Sequence, residues 1–158
     1  MTSTAEADLA RLYEDNYPRF LRVAAAMLGD SEQARDAVHD AFVRAVSGIE
    51  RFRGDSSLET WVWRILTNAC LTEQRREVAM VADPGERPEP AAPDDWTEVR
   101  RAVAGLPERQ RTILFLRHYA DLDYERIAST LGIERGTVAA TLHAAHAKLR
   151  DILQEVPG

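Results

Sequence analysis

The chain has 158 residues, 45% hydrophobic but only 7% aromatic, with one cysteine and a net charge of −6. That length suits one ordinary domain or two small ones, and a core of Leu, Ile, Val and Ala favours helices over sheets. A single cysteine excludes an internal disulfide framework or cysteine-based zinc site. No apolar run nears the roughly 20 residues of a membrane span, and the start lacks a signal peptide's basic and apolar parts, so a cytoplasmic protein without membrane insertion is expected.

An acidic total argues against nucleic-acid binding by the chain as a whole. The charge is uneven, however. Residues 80–95 hold one base against five acids, whereas residues 51–76 hold five bases against three acids, a local positive patch.

In chain order, the first predicted helix is the apolar-periodic run 9–28, ended by Gly29. Asp30 then caps a second helix, with Gln33 placed as its capping-box partner, running to about Val46. On it Val38, Ala41, Phe42 and Ala45 share one face, and Asp36, Asp40 and Arg44 line the opposite one. Two carboxylates four apart repel by a few tenths, about 0.3 kcal/mol. Such a ridge is either a solvated face or a seat for a basic partner surface.

A polar loop follows at 51–57, with Arg51, Phe52, Arg53, Gly54 and Ser56, and then a third helix at about 58–76. Trp61, Arg64, Asn68, Thr72 and Arg75 fall on one side of it, with Arg76 next to them, and Val62, Leu66, Ala69 and Cys70 on the other. An aromatic ring beside guanidinium and amide groups suits an unstacked single DNA strand. Trp63 reads as core, Trp61 as either core or stacking platform, and Cys70 as a small buried apolar residue.

The segment 80–95, MVADPGERPEPAAPDD, carries four prolines and five acids. Proline removes backbone donors and disfavours helix before it, so this is an extended, self-repelling linker. The expected organisation is all-α: a helical domain over 1–79, the linker 80–95, and a second helical domain over 96–158.

In the second domain a short helix at 96–104 ends at Gly105. Another starts with Pro107 as its first helical residue and runs to about Tyr119. Two more are expected at 124–131 and 135–153, broken at Gly132. Ile127, Ala128 and Leu131 form one apolar face, Ile133 plugs the corner, and Val138, Leu142, Ala145 and Leu149 repeat at helical spacing. Two helices joined by a tight glycine turn form either an ordinary hairpin or a helix-turn-helix whose second helix enters the major groove.

The outward face of that last helix holds Ala140, His143, Ala144 and Ala147. Its polar contacts would be Arg135, Thr137, His143, His146 and Lys148. The alanines reflect either helix propensity or close approach to thymine methyl groups. The four histidines have no carboxylate or cysteine partner set, so no metal, cofactor, catalytic group or small-molecule substrate is expected.

Together these residues resemble the extracytoplasmic-function sigma factors of bacterial RNA polymerase. Residues 34–44, ARDAVHDAFVR, look like region 2.2 of that family, and the resemblance implies that Asp36, Asp40, Phe42 and Arg44 bind the β′ clamp helices of the polymerase core. Residues 52–68 look like regions 2.3 and 2.4, which implies reading and melting of the minus-ten element by Arg51, Phe52, Arg53, Ser56, Trp61, Arg64, Asn68, Arg75 and Arg76. Residues 106–114, LPERQRTIL, and 127–138 look like region 4, which reads the minus-thirty-five element and touches the β flap. There the readers would be Arg135, Thr137, Ala140, Thr141, His143, Ala144 and Lys148, with Leu114 and Phe115 toward the flap.

The resemblance also implies promoter DNA and an anti-sigma factor as partners. The sequence departs from the family pattern at Ala139, Ala140, Thr141 and Ala144, where basic residues are common, and at Arg126, where glutamate is customary. A stand-alone helix-turn-helix regulator and a degenerate sigma-like interaction module are the alternatives.

Overall fold

The computed structural model describes residues 4–80 and 97–155. Apart from Met80, the proline-rich segment lies outside the described residues, as does Trp96. Among the described residues the secondary structure is helical throughout, in seven α-helices and one short 3₁₀ turn.

The first three helices are α1 (Thr4–Leu28), α2 (Ser31–Gly48) and α3 (Leu58–Met80), with the 3₁₀ turn Ile49–Arg51 between the last two. Asp30 caps α2 as expected, its carboxylate accepting from the backbone N–H of Glu32 and Gln33. The reciprocal half of the capping box is not formed, since the Gln33 side-chain oxygen is buried without a partner. Helix α3 continues one turn beyond the expected Arg76. Pro18 sits inside α1, where the missing N–H sacrifices one helix bond without ending the helix.

The three helices pack around a ladder of rings. Tyr13 meets Phe42 edge-on at 4.5 Å, Phe42 meets Phe20 at 5.4 Å, and Phe20 meets Trp63 at 4.4 Å. Each such pair adds about 0.5–1.5 kcal/mol beyond the area it buries. Trp63 is 1% exposed and Phe20 fully buried, so this ladder is the centre of the first half.

The second half comprises α4 (Thr97–Ala104), α5 (Glu108–His118), α6 (Tyr124–Leu131) and α7 (Arg135–Glu155). Pro107 is the N-cap of α5 with extended ψ, not its first helical residue. Asp123 caps α6 by accepting from the Arg126 N–H. Gly132 closes α6 in the left-handed region, φ 69° and ψ 37°, and the Ala128 carbonyl accepts from both Gly132 and Ile133. Only glycine takes that conformation without a Cβ penalty. The turn lets α7 pack on α5 and α6, with Val138, Leu142 and Ala145 buried.

The two halves share a core. Buried residues from α1–α3 and from α5–α7 form one continuous apolar cluster, with α1 against α5 and α3 against α6.

Candidate polymerase and promoter interfaces

Helix α2 presents its ridge as its periodicity requires. Val38, Ala41, Phe42 and Ala45 are buried, and Asp36, Asp40 and Arg44 are all exposed on the other side. Phe42 differs from the rest of that set: most of its ring is in the core between Tyr13 and Phe20, and only a small part of it reaches the surface. The sequence reading missed Val43 and Val46, which are 50% and 56% exposed beside the ridge. With Tyr13, His39 and Phe42 they line a largely apolar groove between α1 and α2. Their signal was present in the sequence as two valines off the apolar stripe.

The loop before α3 is built around Trp61. Its ring is half-buried, lies over Gly48 and packs against Phe52 at 5.1 Å. Trp61 is therefore neither pure core nor a free platform. Ser57 caps α3, its Oγ accepting from the Thr60 N–H at 3.1 Å. Arg51 and Arg53 are exposed, and Ser56 is half-buried with its hydroxyl donating to the Ser57 carbonyl. Along α3, Arg64, Asn68, Thr72, Arg75 and Arg76 are exposed while Val62, Leu66 and Cys70 are buried. Burial pushes the Cys70 thiol up to about 12, so it stays protonated.

Two of these cations are engaged by the second half. Arg64 Nη2 donates to the Ser129 carbonyl at 2.5 Å. Arg75 Nη2 and Nε meet Glu108 Oε1 and Oε2 at 2.5 and 3.2 Å. That pairing holds the Glu108 carboxyl below the usual carboxylate range and raises the Arg75 guanidinium. Glu59 is a second junction: its Oε1 accepts from Trp63 Nε1 at 3.3 Å and Arg19 Nη1 at 3.4 Å, and its Oε2 lies 3.8 Å from Arg126 Nη1.

On α7, Arg135, Thr137, Ala140, His143, Ala144 and Lys148 are exposed and Thr141 is half-buried. The Arg135 guanidinium sits 6.0 Å from the Tyr124 ring centre. Leu114 and Phe115, expected toward the flap, are each 7% exposed, because α5 is covered by α1, α6 and α7. His146 pairs with His118 of α5, Nε2 to Nε2 at 3.1 Å. Among the described residues no group of three or more His, Cys, Asp or Glu side chains could hold a metal, and no helix is long and apolar enough to cross a membrane.

The sigma-70 region 2 family model matches residues 12–79, and the sigma-70 region 4 model matches residues 96–149. The ECF RNA polymerase sigma factor SigL of Mycobacterium tuberculosis is 32% identical, over 98% of this chain and 94% of that one. The chain belongs to the ECF RNA polymerase sigma factors. Its activity is transcription initiation as an alternative sigma factor, through a region 2 part (α1–α3) and a region 4 part (α4–α7) that bind RNA polymerase and promoter DNA.

Two solved structures share the fold. One is the sigma factor RpoE of Bartonella quintana in complex with the anti-sigma factor NepR, with a TM-score of 0.73 and 22% identity over 95% of this chain and 99% of that one. The other is CnrH in complex with the cytosolic domain of CnrY, with a TM-score of 0.72 and 20% identity over 96% and 91%.

Proposed function

We propose that the α2 edge formed by Asp36, Asp40 and Arg44, together with the exposed Val43 and Val46, is the surface that docks on the β′ clamp helices of the polymerase core. The observation that carries this is the placement of three charges on one solvent-facing edge of a helix whose opposite face is wholly core. Two like charges repel along such an edge and are relieved by a basic partner. The valines beside them supply apolar area at the centre of the contact, with the charges as its rim.

In this reading Arg51, Arg53, Arg64, Asn68, Arg75 and Arg76 hold the phosphates and base edges of the displaced minus-ten strand, and the Phe52–Trp61 pair borders it. Helix α7 lies in the major groove of the minus-thirty-five element. Arg135, Thr137 and Lys148 supply its polar contacts, and Ala140 and Ala144 allow the backbone close. With one lysine and one arginine on that face, upstream affinity rests on few phosphate contacts. The bond-making chemistry belongs to the polymerase, so the chain is not itself an enzyme. It works in the cytoplasm. An anti-sigma factor regulates it, a reading supported by the two structural neighbours that carry one.

Run-off transcription with purified core on genomic fragments tests the proposal. Discrete start sites that depend on this chain are expected. Core-only background starts at every chain concentration would refute it.

A further inference from the structure

The histidine pair between α5 and α7 takes no part in the proposed polymerase and promoter contacts. His118 ends α5, His146 lies midway along α7, and both are exposed. Their Nε2 atoms converge to 3.1 Å, with ring centres 5.3 Å apart and ring planes inclined at 58°. In the sequence His146 has only His143 nearby, one helical turn back. The fold brings the second imidazole from another helix, 28 positions away.

We propose that His118 and His146 form a two-nitrogen site for a late first-row divalent cation such as zinc or nickel, and that the bound ion staples α7 to α5.

Geometry carries the inference. Two nitrogens bound to one ion at about 2.0–2.1 Å stand about 2.9 Å apart at a right angle and about 3.3 Å apart at the tetrahedral angle. The observed 3.1 Å falls between the two, so an ion can bridge the Nε2 atoms at their present separation. Only a rotation of the rings is needed to turn both lone pairs on it, and exposed side chains make such rotations freely. As a hydrogen bond alone the pair is a poor fold contact, because it is open to water and is lost when both rings take a proton.

The donors suit the ion. Imidazole favours zinc, copper and nickel over magnesium and calcium, and it binds metal in its neutral form. Burial first, then His146 and Arg117, hold the His118 ring below its ordinary pKa against the pull of Asp121, so the ring is neutral at about pH 7. Asp121, in the loop after α5, also offsets part of the ion's charge, while Arg117 opposes it.

No third His, Cys, Asp or Glu side chain completes a cluster among the described residues, so water fills the other coordination positions. Half the protein ligands of a structural zinc site give about half its binding free energy, which corresponds to a Kd on the order of 10 µM. The ion adds two coordinate bonds between helices otherwise packed through buried apolar side chains, and it stabilises that packing by mass action.

The test titrates the full-length, tag-free chain with zinc chloride in a calorimeter at about pH 7.5. One equivalent is expected to bind with a Kd on the order of 10 µM. His118→Gln and His146→Gln are each expected to weaken it at least roughly tenfold, and His143→Gln by less than about threefold. Magnesium chloride is expected not to bind. At about 0.2 mM zinc, roughly twenty times that Kd, the melting point is expected to rise by about 4–7 °C in wild type and to stay put in His118→Gln. Imidazole nitrogen NMR of the wild type serves if a variant fails to fold. Zinc is expected to shift the Nε2 resonances of His118 and His146 and to leave those of His39 and His143 in place.

No binding up to about 1 mM zinc overturns the site. Binding that survives His118→Gln but is lost in His143→Gln assigns the ion to α7 alone and overturns the staple. Neither result bears on the polymerase and promoter contacts, which run-off transcription tests separately.

Discussion

Two glycines four residues apart in the helix-turn-helix should respond to the same substitution with opposite sign. Gly132 has φ 69°, and a Cβ built there meets nothing within 4 Å. Crowding is therefore absent, and the whole cost of Gly132→Ala is the left-handed backbone, about 1–2 kcal/mol for an L-residue. Loss of glycine's freedom in the unfolded chain returns about 0.4–1 kcal/mol. The net is a destabilisation of about 1 kcal/mol, or a melting point lower by about 2–4 °C at this chain length.

Gly136 lies in the first turn of α7, also with open space at the Cβ position but without a positive φ. There the same change gains helix propensity, and Gly136→Ala should stabilise by about 0.5 kcal/mol. Gly132→Asn should lie between wild type and Gly132→Ala, since asparagine tolerates the left-handed region. Urea and thermal melts read all three. A Gly132→Ala variant as stable as Gly136→Ala would refute the left-handed turn and with it the placement of α7.

Three further outcomes follow from buried and paired groups. The Thr67 hydroxyl is buried without a partner, so Thr67→Val should raise stability by about 1 kcal/mol in a urea melt. Cys70, with its thiol pushed up to about 12 by burial, should leave Ellman's reagent unreacted at pH 8 in native protein and titrate fully in denaturant. His118 is held below its ordinary pKa by burial first and then by His146 and Arg117, with Asp121 opposing. The unfolded chain therefore binds that proton more readily, and stability falls as pH drops through about 6.5. The melting point should decline from pH 7.5 to 5.5 in wild type, and less so in His118→Gln.

Local pattern carried most of the helices. The stripe Val38, Ala41, Phe42 and Ala45 is buried as its spacing demands, Asp30 caps where its chemistry allows, and Gly132 turns the chain. The errors share a cause, which is that tertiary neighbours decide them. The resemblance points Leu114 and Phe115 toward the flap, yet both are buried, as are Ile113 and Leu116 beside them, because α5 is packed on several sides. Four consecutive apolar residues point to every side of a helix, so no single outward face could hold them, and that was the available signal.

Of the proposed site, which side chains are exposed was legible, because the 3.6-residue period separates Arg64 from Leu66. The partners of Arg64 and Arg75 were not, since Ser129 and Glu108 lie 65 and 33 positions away and no local periodicity links them. Glu59 as a junction for Trp63, Arg19 and Arg126 was invisible for the same reason.

Reversal of the two aspartates on α2 probes the polymerase contact directly. Both are exposed and neither supports the fold, so Asp36→Arg with Asp40→Arg should keep wild-type helicity and melting point. In a competition titration against purified core polymerase, the account predicts at least roughly tenfold weaker holoenzyme assembly, as for loss of close complementary charges at an interface. Wild-type affinity in the reversed protein would contradict it.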